Sequence, residues 1–404
     1  MSKRRPPEFP YQVSPGYERF NQKYVIFSRW IWDEKIRGWK EGLLPRPVER
    51  IVADDRGYGL LDYALRSGGW YLDGFNDTVS AIPGDWNLYA PFSLSTSHSS
   101  LAAQPWNGDP ELERVQREFK AQSGPRVLTK AVKRAARFLG ADLVGVASYD
   151  EKWVYSHTFL RKVEPSRQGE VVPLEMPLGV TSVVVLAFEM EYGALNTSPA
   201  ALAMAATGLG YSRMAFVTSS LAEFIHSLGY WAQPCGNDTA LSVPLAIAAG
   251  LGEVGRQGLL VTREYGPRVR LSKIFTDMPL VGDEPVSFGV WEFCKGCKKC
   301  AERCPPRAIS FDDEPSWEGP NISNNPGVLK WYVNPEKCFR FWCQNGWSCS
   351  NCQSRCPYNK DYSRWYHRVA RDLAPRLGSF ALWLDDLLGY GRQASTEEWW
   401  AFYP

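Results

Sequence analysis

The residues with the most chemistry in this chain are its cysteines. Nine of ten lie between Cys294 and Cys356, where an even scatter would place about 1.6. Eight form two groups that each end in Cys-Pro: Cys294-x2-Cys297-x2-Cys300-x3-Cys304-Pro305 and Cys338-x10-Cys349-x2-Cys352-x3-Cys356-Pro357. Disulfides have no need of a repeated x2-x3-Pro rhythm, and paired zinc sites rarely carry it. The rhythm is that of paired [4Fe-4S] cubanes, in which a tight loop wraps three thiolates and the other group supplies the fourth. Cys294, Cys297, Cys300 and Cys356 are therefore expected around one cluster. Cys304, Cys349 and Cys352 are expected around the other, completed by Cys338 or by the spare Cys343. The first loop is basic: Lys295, Lys298, Lys299, Arg303 and Arg307 surround Glu302. That charge would offset an anionic cluster or meet an acidic electron donor. Cys235 is expected as a lone thiol near a cavity.

The elements that position these residues fall into four stretches. At 404 residues the chain is long enough for two or three domains. Residues 1–115 are irregular and aromatic, with helical character around 17–40, and are expected to wrap the rest. Residues 116–285 alternate helices and strands, which suggests an α/β domain. Within it, 126–139 reads as an amphipathic helix, and Asp142–Ser148 and Ser182–Phe188 read as strands. Ser198 before Pro199 reads as the cap of a long helix towards Leu228. A helix over 240–249 and strands over 258–262 and 269–277 follow. Residues 286–360 hold the cysteines, and 361–404 form a helical, tryptophan-rich extension. Basic and acidic residues, 46 and 44, nearly cancel, which weighs against nucleic acid as a partner. The 17 Trp, 19 Tyr and 19 Phe often flank turns, as expected of an aromatic-lined cavity.

The start, Met1-Ser2-Lys3-Arg4-Arg5-Pro6-Pro7, shows no apolar signal sequence. The uncharged start of the long helix holds Asn196, Thr197, Ser198 and Pro199, so it reads as buried rather than membrane-spanning. The chain is expected in the cytoplasm, or on the periplasmic face of the cytoplasmic membrane if an export signal has been removed. Gly250-Leu251-Gly252-Glu253-Val254-Gly255 matches G-x-G-x-x-G. A dinucleotide loop must follow a strand and open a helix, and here the order is reversed. The expected use is a backbone loop that lets a large flat cofactor approach.

Taken with the segments before them, the cysteine motifs resemble those of the corrinoid-dependent reductive dehalogenases. The upstream carriers are Gly208-Leu209-Gly210-Tyr211-Ser212, Gly236-Asn237-Asp238, Ala249 to Arg256, Pro267 to Lys273, and Phe275-Thr276-Asp277. The resemblance spans roughly residues 125–360. It implies a mixed α+β or α/β fold, with a nitroreductase-like corrinoid-binding domain fused to a bacterial two-[4Fe-4S] ferredoxin-like domain. It also implies a cobalamin-type corrinoid, two [4Fe-4S] clusters, and reductive removal of halide from a small organohalide. A low-potential electron donor is implied, with a membrane anchor protein or a quinol-linked donor as candidates, and a homodimer is compatible with it. By the same resemblance Cys338, not Cys343, is the cluster ligand. None of His98, His157, His226 and His367 has an aspartate two residues before it, so Asp-x-His-x-x-Gly is absent and a base-off corrinoid is expected.

The resemblance also assigns roles. Tyr211 matches the proton donor, Arg270 the cation that stabilises its phenolate, and Asn237 the polar residue completing the pocket. Thr207, one helical turn before Tyr211, is expected to face the same cavity, and Gly250, Gly252 and Gly255 to line the cofactor. Trp86, Phe341, Trp342 and Trp347 are candidate pocket walls. Epoxyqueuosine reductase, a tRNA-modifying enzyme with similar architecture, is the alternative enzyme. Its pattern places an aspartate where this chain has Gly210. A plain iron–sulfur electron carrier would not need the roughly 280 residues ahead of the clusters.

Overall fold

The apolar run Ser182–Glu189 is the centre of the molecule. The computed structural model describes residues 12–53, 55–70, 110–160, 169–346 and 348–401. Among these, eight strands form: β1 Leu143–Ser148, β2 His157–Phe159, β3 Val171–Pro173, β4 Ser182–Glu189, β5 Ala232–Cys235, β6 Glu253–Val254, β7 Leu260–Val261 and β8 Val269–Thr276. One sheet has the order β1-β4-β8-β5, and β2–β3 and β6–β7 are separate two-stranded pairs. Successive strand side chains point to opposite faces. Val183, Val185 and Ala187 therefore pack with Trp153, Leu245 and Ile247 on one side. Val184, Leu186 and Phe188 pack with Leu128, Val132, Met214 and Leu221 on the other. Burial on both faces is why β4 reads as a continuous apolar run.

Every pair in the main sheet is antiparallel. The alternation of helices and strands thus yields an α+β arrangement and not a parallel α/β one. The chain passes from β1 to β4 through the β2–β3 pair, and among the described residues there is no α-helical crossover of the kind parallel neighbours need. Helix Pro125–Leu139 begins on a proline and stops at Gly140 in the left-handed region, φ 112°. Its buried Leu128, Val132 and Ala136 recur every four residues and face the sheet.

Helix Ala201–Ser227 is about 40 Å long by helical rise. It does not start at Ser198-Pro199, as the sequence suggests, but at Ala201, with no side-chain cap. The Ser198 hydroxyl is used elsewhere: it donates to Asn351 Oδ1 (2.7 Å) and accepts from Ser350 N (2.9 Å) in the cysteine segment. No helix of the described residues is long and apolar enough to cross a membrane.

Towards the N-terminus two helices, Ile26–Trp32 and Glu34–Leu43, replace the single helical stretch expected. Asp33 separates them and caps the second through Ile36 N (3.3 Å). They pack on helix Pro335–Asn345 of the cysteine segment, with the Phe27 and Phe339 rings 5.8 Å apart. Arg29, 4% exposed, bridges Asp33 (2.5 Å) and Glu336 (2.7 Å). Near the C-terminus, helices Trp365–Leu377, Ser379–Leu387 and Thr396–Ala401 fold back over the molecule. Asp385 is held by Lys360 (2.5 Å) and Lys299 (3.0 Å), and Trp400 Nε1 donates to Asp62 Oδ1 (2.9 Å).

Candidate active site and cysteine centres

The two cysteine groups converge on adjoining neighbourhoods, with Cys300 between them. Cys300 is pushed well up by burial, then by the nearby Cys294, Cys356 and Cys297 and by Cys352 of the other group, and it packs beside Cys304, Cys338 and Cys352. Cys356 is pushed up by burial, then by Cys294 and Cys297. Cys338 is pushed up by burial, then by Cys352, Cys349 and Cys304. Cys343, one turn beyond Cys338 on helix Pro335–Asn345, has no such neighbours: burial lifts it to about 11 and Lys40 opposes. It packs instead with Ile26, Ile36 and Phe339. Among the described residues no three His, Cys, Asp or Glu side chains stand close enough to hold a single metal ion. Four thiolates around a cubane stand wider apart than the ligands of one ion.

The basic first loop is largely neutralised within the chain. Lys298 pairs with Asp313 (2.7 Å), Lys299 with Asp385 (3.0 Å) and Asp386 (2.8 Å), and Lys295 with Glu292 (3.8 Å). These three lysines tie the loop to its surroundings.

Tyr211 projects from the long helix, Asn237 from the loop after β5, and Arg270 from β8. Asn237 Nδ2 donates to the Tyr211 hydroxyl at 2.7 Å. The Arg270 guanidinium lies 5.1 Å from the Tyr211 ring centroid. Trp70 stacks on the same ring at 5.2 Å, with planes 24° apart. The two helical glycines of Gly208-Leu209-Gly210 make this approach possible. A Cβ on Gly208 would stand 2.3 Å from the Trp70 ring, and one on Gly210 would stand 3.0 Å from Arg270 Cγ. An aspartate at position 210 would therefore compete with Arg270 for space. Arg270 Nε is buried without a hydrogen-bond partner among the described residues, and the Asn237 amide is exposed.

This trio adjoins the second cysteine group. Burial, with Cys349 and Cys304, pushes the Cys352 thiol up to about 12, and Arg270 is close enough to pull against them. Thr207 faces the same way: its hydroxyl lies 3.5 Å from Ser350 Oγ and 3.7 Å from Met190 Sδ. The Asn237 loop is fixed from beneath. Lys273 Nζ donates to Gly236 O (2.6 Å) and Ser242 Oγ (3.1 Å), and Gly236 N donates to Asp238 Oδ1 (2.7 Å). Burial lowers Lys273 and raises Asp238, and each charge counters the other's shift. Cys235, expected beside a cavity, is wholly enclosed in the apolar core.

The glycines of the G-x-G-x-x-G motif allow close packing of the chain on itself. A Cβ on Gly250 would meet Glu284 O at 2.6 Å, one on Gly252 would meet Val261 O at 2.2 Å, and one on Gly255 would meet the Gln257 side chain at 2.5 Å. The chain itself occupies the space that a Cβ at these positions would need. Of the proposed walls, Trp342 packs on Phe27 (5.5 Å) with Nε1 buried and lacking a partner among the described residues, and Phe341 is half-buried beside it on the same helix. Trp86 and Trp347 lie outside the described residues.

Trp70, Lys273 and Ser350 were not singled out as site residues from the sequence. The paired glycines at 208 and 210 were the available signal that bulky neighbours press on this helix. Which neighbours do so is decided only in three dimensions.

Residues 293–360 match the family model of the 4Fe-4S dicluster domain. A tetrachloroethene reductive dehalogenase of Desulfitobacterium hafniense is 34% identical over 97% of this chain and 87% of that protein. Among solved structures, the catabolic reductive dehalogenase NpRdhA superposes with a TM-score of 0.69 at 22% identity. That likeness covers 96% of this chain and 49% of that one, so the chain spans about half the length of that structure, and the likeness shows the fold. An epoxyqueuosine reductase of Lactococcus garvieae is 29% identical over only 32% of the chain.

Proposed function

The chain belongs to the reductive dehalogenases, and we propose that Tyr211, Asn237 and Arg270 deliver the proton while a corrinoid, fed through two [4Fe-4S] clusters, breaks the carbon–halogen bond of a small organohalide. The balance is R–X plus two electrons and one proton, giving R–H and halide. The corrinoid, when bound, supplies the reduced cobalt at which the bond is cleaved.

The residues fit such a group: Arg270 Nε is a buried donor without a partner among the described residues, Asn237 is exposed, and both contact Tyr211. The described histidines make their bonds elsewhere, which favours a base-off corrinoid. His157 Nδ1 contacts Ser156 Oγ (3.0 Å), and His367 lies between Asp361 O and Tyr390 (2.6 Å each). His226 stands about 22 Å along the long helix from Tyr211 by helical rise.

The observation that carries the reading is the 2.7 Å bond between Asn237 and the Tyr211 hydroxyl, beside the Arg270 cation. The Tyr211 hydroxyl is the proton source in this reading. Loss of that proton leaves a phenolate, which the Asn237 N–H and the Arg270 charge stabilise. Water then returns the proton. The adjacency of Arg270 and Thr207 to the second cysteine group supports an electron order: donor, first cluster, second cluster, reaction centre. A low-potential one-electron donor is the partner this order requires.

The test is Tyr211→Phe, which removes one hydroxyl. Corrinoid and iron content should match the parent, while halide release driven by reduced viologen falls by about two orders of magnitude, the scale of a lost general acid. Near-parent turnover at equal corrinoid occupancy would assign the proton to another source.

A further inference from the structure

We propose that Arg256 sets the reduction potential of the first cluster, both as its buried counter-charge and as the clamp on its ligand loop; the proposal rests on the two-cluster reading above. The Arg256 side chain is fully buried. Nε donates to Cys294 O (3.1 Å) and Cys297 O (3.0 Å), and Nη2 to Cys294 O (2.8 Å) and Lys295 O (3.2 Å). Nη1 donates to Ser310 O (3.1 Å) and Asp312 O (2.6 Å). The backbone N–H of the same residue donates to Cys294 Sγ (3.5 Å). One residue thus holds the carbonyls of two cluster ligands and the sulfur of one.

All six side-chain contacts are to carbonyl oxygens and none is to a carboxylate. The dipoles satisfy the donors but neutralise no charge; Asp313, an exposed carboxylate paired with Lys298, lies within electrostatic reach, and a buried positive charge is costly unless an anion offsets it. Trp331 covers the guanidinium, with Cζ 4.6 Å from the ring, and limits solvent relief. A cubane with four thiolates carries a net charge of roughly −2 oxidised and −3 reduced. A nearby cation stabilises the reduced form more and so raises the potential.

An opposing charge sits on the same motif. Glu253, 5% exposed, accepts from Ser287 Oγ (3.1 Å), Phe288 N (2.7 Å) and Val290 N (3.1 Å). Val290 opens the helix Val290–Gly296 that carries Cys294. The close backbone approach that Gly252 permits at Val261 brings both residues to the cluster loop. The glycine motif is therefore the mount that carries one cation and one anion to an electron-transfer centre.

The experiment uses the full chain, reconstituted anaerobically with iron and sulfide. Each cluster is titrated by paramagnetic resonance in the parent, Arg256→Gln, Arg256→Lys and Glu253→Gln. Arg256→Gln should move one cluster to lower potential and leave the other in place. Glu253→Gln should move the same cluster upward, and Arg256→Lys should stay nearer the parent than Arg256→Gln. A mere packing role would not give opposite shifts confined to one cluster. Unchanged potentials in Arg256→Gln, or equal shifts of both clusters, would overturn the proposal. If Arg256→Gln loses the first cluster, Glu253→Gln decides, and an unmoved potential there overturns it. A parent with about four iron instead of eight would refute the two-cluster reading itself, and the proposal with it.

Discussion

Arg270 meets two demands at once: it lies over the Tyr211 ring and its charge reaches Cys352. Its shape matters as well as its sign, because Nε is buried with no partner among the described residues. Arg270→Lys keeps a charge but loses the planar donor fork, so its dehalogenation rate should fall between the parent and Tyr211→Phe. Arg270→Met should approach the Tyr211→Phe loss. Equal rates for Lys and Met, measured with reduced viologen at matched corrinoid occupancy, would mean that charge at this position is irrelevant. The cysteines allow a second residue-scale comparison. Cys343 sits among Ile26, Ile36 and Phe339, whereas Cys338 stands with Cys304, Cys349 and Cys352. Cys343→Ala should keep about eight iron per chain, and Cys338→Ala should lose or alter one cluster. Iron analysis and paramagnetic spectra decide between them, and the reverse pair of outcomes would move the ligand to Cys343.

At the scale of elements, the long helix is shaped by what it lacks. Glycine inside a helix ordinarily costs about 1 kcal/mol relative to alanine. At Gly208 that gain from alanine should be overturned, because the new methyl would stand 2.3 Å from the Trp70 ring. Overpacking of this kind costs about 1–3 kcal/mol. Gly208→Ala should therefore lower the denaturation midpoint and disturb tryptophan fluorescence. Gly38→Ala, with nothing within 4 Å of its Cβ, should be neutral or stabilising. Adding Trp70→Ala to Gly208→Ala should remove the steric part of the loss. A Gly208→Ala chain as stable as the parent would show that Trp70 can stand aside at no cost.

Across the whole molecule, the described N-terminal helices are tied to the cysteine segment through Arg29. Burial works against ionisation of Glu336, but hydrogen bonds from Lys35 and Arg29 outweigh it and hold the carboxyl below its ordinary value. Burial likewise opposes Asp33, and the bond from Arg29 with that from Ile36 N prevails. Carboxyls lowered in the folded state contribute stability that is present above their unfolded values and is lost as pH falls through the folded ones. The tether should thus be intact above about pH 4–4.5 and weaken below it. Hydrogen exchange in 26–43 should rise in that acid range, and Arg29→Met should show the same rise at neutral pH. Exchange that is unchanged in Arg29→Met would deny the tether its role.

The sequence by itself determined the cysteine rhythm, the apolar run of β4, and the order in which Tyr211, Asn237 and Arg270 occur. Each is local: ligand spacing, strand periodicity and motif order are properties of neighbours along the chain. The antiparallel order β1-β4-β8-β5 is not local, and the alternation of helices and strands carried no strand order or direction. The start of the long helix also eluded local reading, because Ser198 bonds to Ser350 and Asn351, some 150 residues away. The glycine motif shows the divide most sharply. Its spacing announced that backbones come close, but only the fold decided that the partners are Glu284 and Val261, and that the residues carried along are Glu253 and Arg256. Trp70 belongs to the same class. A glycine records that space is needed, and the side chain that fills the space is chosen by packing between segments distant in sequence.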